Sequence, residues 1–175
     1  MKNLILFLAS FSIVTTAFAS NFILCESKYA LCTTAVCTKL HNQKGMASCH
    51  CSVQVGYSVG QKPCLNPKKT NKGLLVHSRY YPIKSYVKCS NDRPWTWCLD
   101  SPCIVDKHNP KKAICYCSIV KNKGDYIIVA NHYSKSACTK GLISSATVKG
   151  SEEITEFLNT QTKLKPFPIK VYKNK

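Results

Sequence analysis

Twelve cysteines in two matching sets constrain this chain more than any other feature. Cys32-x4-Cys37-x11-Cys49-x-Cys51 recurs 66 positions on as Cys98-x4-Cys103-x11-Cys115-x-Cys117. Three coincident intervals point to an internal duplication. Each set has one cysteine before it, Cys25 or Cys89, and one after it, Cys64 or Cys138. The repeats then read as residues 20–88 and 89–175, with six cysteines each. Units this small bury too little apolar surface to be stable without cross-links.

The N-terminus bears on the compartment. Residues 1–19 read as a secretory signal peptide. Lys2 is the positive end, Leu4 to Val14 the apolar run, and Ala17-Phe18-Ala19 the cleavage site. The run is short for a membrane span, and no later stretch is apolar enough for one. Leu24 ahead of Cys25 is too large for lipoprotein processing. The sequence therefore predicts a secreted or periplasmic protein. Dense, even cysteines behind such a leader read as a disulfide framework. Thiolate zinc ligation fits poorly, because structural zinc sites space paired cysteines by two to four residues rather than one. The second copy also has Tyr116 where the first has His50. Neither a metal nor a cofactor is expected.

Inside each repeat the pattern is that of strands. His41-Asn-Gln-Lys-Gly45 and His108-Asn-Pro-Lys-Lys112 are polar and turn-rich, flanked by Val36 and Ile104, and predict a hairpin in each copy. A C-x-C segment on a strand puts both sulfurs on one face. Six cysteines allow fifteen pairings. One is nested: first with sixth, second with fifth, third with fourth. Tyr29 in one copy and Trp95 in the other, each three residues before a cysteine, read as core aromatics. The second repeat adds a strand at Tyr126–Ala130, preceded by a hairpin turn at Lys123-Gly-Asp125. It also adds a helix over Gly150–Leu158, with Ser151 as N-cap, two glutamates in the first turn, and Ile154, Phe157 and Leu158 on one face. Tyr81-Pro-Ile-Lys-Ser-Tyr86 is echoed by Phe167-Pro-Ile-Lys-Val-Tyr172, and both read as edge strands. The predicted fold is small, disulfide-rich and mainly β: two tandem six-cysteine units, with one short helix in the second. The units are expected to pack as a pseudo-symmetric pair.

Charge carries most of the functional signal. The chain has 25 Lys and Arg against 8 Asp and Glu. Such an excess favours anionic partners. Almost all of it is lysine, a point charge rather than a planar fork, so the sequence suggests no shaped phosphate site. Leu65 to Lys88 holds no acid. Lys68, Lys69, Lys72, Arg79 and Lys84, interleaved with Tyr80 and Tyr81, suit a polyanion: charge for its backbone, rings for stacking. These seven residues are the candidate binding site. Lysines also guard exposed edge strands.

No catalytic motif stands. Gly56-Tyr-Ser58-Val-Gly60 matches the G-x-S-x-G pattern, but that motif needs a strand–turn–helix on a large α/β sheet. The five histidines form no metal or catalytic spacing. The expectation is a non-enzymatic basic binding protein for an anionic surface or polyanion. The alternative is a disulfide-constrained inhibitor or protein-interaction module presenting Thr33–Val36 and Leu99–Pro102 to a protein partner.

Overall fold

Period-two alternation decides the centre of the fold. Ala47, Cys49 and Cys51 are buried, as are Ala113, Cys115 and Cys117. His50 and Tyr116 are exposed on the opposite face. The computed structural model describes residues 21–80, 85–121, 124–130, 134–164 and 170–172. The expected leader lies outside them.

The first repeat contributes β1 (Ile23–Leu31), β2 (Val36–Lys39), β3 (Met46–Gly60), β4 (Lys68–Thr70) and β5 (Gly73–His77). β6 (Ser85–Cys89) straddles the boundary between repeats. The second contributes β7 (Trp95–Trp97), β8 (Pro102–Val105), β9 (Lys112–Val120) and β10 (Tyr126–Val129). A 3-10 turn at Lys135–Thr139, β11 (Leu142–Ile143), helix α1 (Val148–Asn159) and β12 (Lys170–Tyr172) follow. Both expected hairpins form, as β2–β3 and β8–β9.

All twelve cysteines are paired, and the pairing is nested in each half. The bonds are Cys25–Cys64, Cys32–Cys51 and Cys37–Cys49, then Cys89–Cys138, Cys98–Cys117 and Cys103–Cys115. Cys37 faces Cys49 across β2–β3, and Cys103 faces Cys115 across β8–β9. On chain-entropy grounds the short loops contribute about 3 kcal/mol per bond and the long ones about 4. These sulfurs do the work of a hydrocarbon core. Eight of them cluster with Ala30, Ala47, Ala113, Val76 and Val105.

β3 and β9 run antiparallel side by side, with Cys49 opposite Cys115. Those two cysteines hold the same place in their repeats, so a local two-fold passes between them. The pairings around it match at the 66-residue offset. Leu31 pairs with Ser52, and Trp97 with Ser118. Each half also lends a strand to the other: β5 pairs with β8, and β11 with β2. His77 faces Pro102 as Ile143 faces Val36. The bridges Ala30–Ser78 and Thr96–Ser144 then close two strand rings that share β3 and β9. Single backbone bonds repeat as well. Arg79 N donates to Ala30 O at 3.0 Å, and Ser145 N to Thr96 O at 2.9 Å.

The halves part company at their long strands. β1 stays paired with β3 from Leu31 to Ile23. In the second half β6 and β7 are separate, and β6 joins β10 and β12 in a three-stranded sheet.

Several local expectations change. Tyr86 and the residues after it lie in β6, the middle strand of that small sheet rather than an edge, because Tyr86 and Val87 are both buried. β12 lies at its edge. Residues 81–84 and 165–169 of the echo lie outside the described residues. β10 pairs with β6 and not with β9, so Gly124 and Asp125 lead away from the main sheet instead of forming a hairpin. Lys123 lies outside the described residues. The helix starts two residues before the predicted Gly150, and its N-cap lies four residues before Ser151. Thr147 is its N-cap, accepting from Gly150 N at 3.0 Å, and Ser151 is buried. Ala146 and Val148 pack near Tyr86 and Ile127, and this contact draws the first turn inward. Glu152 and Glu153 consequently sit outside the first turn. Ile154 and Leu158 are buried and Phe157 is partly covered, packing with Val59, Phe22 and Leu24 of the first repeat.

Candidate functional site

The predicted binding set does not stay together. Arg79 is turned inward, with 4% of its surface exposed. Its Nη1 donates to Asp100 Oδ1 at 2.8 Å and to Lys62 O at 2.9 Å. Its Nη2 donates to Ile23 O at 2.8 Å and to Cys25 Sγ at 2.9 Å. Asp100 Oδ2 accepts from Gln61 N at 2.7 Å and Lys62 N at 3.0 Å. Burial lowers the affinity of the Arg79 guanidinium for its proton, and Asp100 opposes that shift. This guanidinium is spent on structure.

Tyr80 is likewise committed. Its hydroxyl donates to Ser145 O at 3.1 Å, and its ring meets Trp97 edge-on. Burial, with Asp100 second, raises the phenol well above its usual value. Tyr81 and Lys84 lie outside the described residues.

Lys68, Lys69 and Lys72 remain exposed, on β4 and in the β4–β5 turn. The fold brings them new company. β5 lies against β8 with Leu75 opposite Ile104, so the β4–β5 turn and the β8–β9 turn come to the same end of the sheet. Lys107, Lys111 and Lys112 are exposed there too. Asp106 is the acid in this set, and its carboxylate accepts from His108 N at 2.8 Å and Asn109 N at 3.3 Å. None of these six lysines takes part in the three ion pairs found among the described residues.

The local two-fold places a smaller basic end opposite. The β2–β3 turn carries exposed Lys39 and Lys44, and Lys140 precedes β11, which pairs with β2. No acid occurs between Val36 and Met46 or between Thr139 and Ile143. Because β3 and β9 are antiparallel, the two turns lie at opposite ends of that pair. Six strand steps from Met46 to Ser52 put them roughly 20 Å apart. Lys107, Lys111 and Lys112 were missed by sequence reasoning, which treated the segment as a polar turn. The available signal was its lysine density.

The G-x-S-x-G match is structural. Ser58 lies inside β3, fully buried, opposite Cys25. Gly60 sits against the Arg79–Asp100 pair, where a Cβ would overlap both groups. The loops considered for partner recognition turn inward at Ala35, Leu99 and Asp100, which are buried.

The chain matches no protein-family model, and no curated protein or solved structure is detectably similar to it.

Proposed function

We propose that this is a secreted or periplasmic, non-enzymatic basic protein that binds a polyanion or anionic surface through its two lysine-rich ends. One observation carries the reading: six exposed lysines from both repeats meet at one end of the sheet beside a single acid already bonded to its own turn. Side chains left unneutralised in this way release counterions from a polyanion on contact. The smaller end built on Lys39, Lys44 and Lys140 supports two-point attachment, which raises avidity without new contact types. The complete disulfide pairing fits an oxidising compartment. Among the described residues no helix is long and apolar enough to cross a membrane.

The test is binding to immobilised heparin and to phosphatidylglycerol vesicles across a salt series. Affinity should fall steeply as salt rises. Replacing Lys68, Lys69, Lys72, Lys107, Lys111 and Lys112 by Gln should weaken binding at least about tenfold and flatten the salt slope. Replacing Lys39, Lys44 and Lys140 should do less. Affinity indifferent to salt, or unchanged by the six substitutions, would overturn the proposal.

A further inference from the structure

The outer face of the main sheet differs between the two sides of the local two-fold. Ile114 on β9 faces Ile104 on β8, Ile104 faces Leu75 on β5, and Leu75 faces Lys68 on β4. Directly opposed residues point to the same side of a sheet. Here that side is the one bearing His50 and Tyr116, since His50 faces Ile114 and the neighbouring Cys103 and Cys115 turn inward. From Lys68 to His50 the row crosses five strands, roughly 19 Å. Leu75, Ile104 and Ile114 are half-buried and belong to none of the four apolar clusters formed by the described residues. Tyr116, two positions along β9 from Ile114, is 40% exposed.

The frame does not require apolar residues in this row. At the 66-residue offset Ile104 corresponds to Thr38 and Ile114 to Ser48, which face each other across β2–β3. Leu75 corresponds to Gly141, which is exposed. One backbone pattern thus carries a polar row by the smaller basic end and an apolar row by the larger one.

Charge borders the apolar row. Lys68 ends it, Lys112 lies two positions before Ile114 on the same face, and Lys72, Lys107 and Lys111 occupy the turns beyond. No Asp or Glu occurs in β3, β4, β5, β8 or β9. A soluble polyanion would engage the lysines and gain little from the isoleucines. An anionic lipid surface engages both: phosphates meet the lysines, the acyl boundary takes the apolar side chains, and a tyrosine suits headgroup depth.

We propose that the larger basic end and the apolar row beside it form one surface that docks on an anionic phospholipid bilayer, with Leu75, Ile104 and Ile114 entering the boundary between headgroups and acyl chains. This docking rests on the anion-binding reading of the same end and narrows it to lipid. The lysines draw the protein to the bilayer, and the apolar row holds it there when salt screens the attraction.

The test compares immobilised heparin with vesicles of equal parts phosphatidylglycerol and phosphatidylcholine. Between about 0.1 M and about 0.5 M salt, heparin binding should be lost while part of the vesicle binding persists. The protein should also raise the surface pressure of a phosphatidylglycerol monolayer, a sign of insertion that adsorption by charge alone does not give. Ile104→Thr with Ile114→Ser copies the polar row, and should weaken vesicle binding at least about tenfold while leaving heparin binding within about twofold. Tyr116→Ser, at an exposed position, should weaken vesicle binding about threefold and decides the matter where the paired variant does not fold. Loss of heparin and vesicle binding at the same salt, or vesicle binding unchanged by these substitutions, would overturn docking on lipid and leave a soluble polyanion as the ligand. Failure of the intact protein to bind heparin or vesicles even at low salt would instead remove the anion-binding reading of the basic end, and the lipid docking with it.

Discussion

The two sides of the local two-fold share a backbone and differ inside. On one side Arg79 and Asp100 form a buried ion pair that also caps Gln61 N, Lys62 N, Ile23 O and Lys62 O. On the other, Ser145 and Thr34 hold the same backbone positions without charge and line a pocket that Tyr80 also borders. Strand register and nested cystines thus specify the frame, and the frame tolerates two unlike interiors. Cross-links explain the tolerance. With six bonds restricting the unfolded chain, neither interior has to supply a full hydrocarbon core.

The largest effect should come from breaking the filled side. Asp100→Ala strands a buried guanidinium and two backbone N–H groups, and should cost about 3–5 kcal/mol in denaturant unfolding with disulfides intact. Thr34→Ala, at the matching position, should cost under about 1 kcal/mol. Equal costs would mean that the two sides do not differ in the way described.

A smaller effect of opposite sign should follow from Thr34→Asn. Thr34 is β-branched and left-handed at φ 55°. Asparagine tolerates that region, so the change should stabilise by about 1 kcal/mol on the same unfolding curve. A loss would show that the Thr34 side chain does more than accept an awkward backbone.

The smallest effect is in pH. His77 lies beside the ion pair; burial lowers its pKa, Lys62 and Arg79 add to the shift, and Asp100 opposes it. The folded state therefore resists protonating a group that the unfolded chain protonates below about 6.5. Stability should be complete above that value and fall as pH drops from it toward the lower folded pKa. His77→Gln should remove this slope from acid unfolding curves. Its counterpart across the two-fold is Ile143, which cannot titrate, so the acid sensitivity belongs to the filled side.

Much of the frame was legible because its signals are local. Cysteine spacing, the turn residues after Lys39 and Val105, and small residues alternating with polar ones around Cys49 and Cys115 each act within a few positions. They led to the hairpins and the same-face sulfurs, and left the nested pairing as one of fifteen, which the structure selects. The helix was legible in its apolar face and misread at its start, where contacts of Ala146 and Val148 outweigh the capping signal at Ser151.

The site was less legible because charge in a sequence carries no direction. Arg79 and Lys72 look alike in a basic stretch, yet one is sealed against Asp100 and the other is exposed. Asp100 lies in the other repeat, and no spacing rule links the two. Lys107, Lys111 and Lys112 join Lys68, Lys69 and Lys72 only because β5 crosses to pair with β8. The sequence by itself determined the disulfide-bound, duplicated β frame and its basic excess, through short-range patterns and covalent chemistry. Only the tertiary structure decided which charges face water and which are buried. Those outcomes depend on strand exchange between the halves, a long-range pairing that local pattern does not encode.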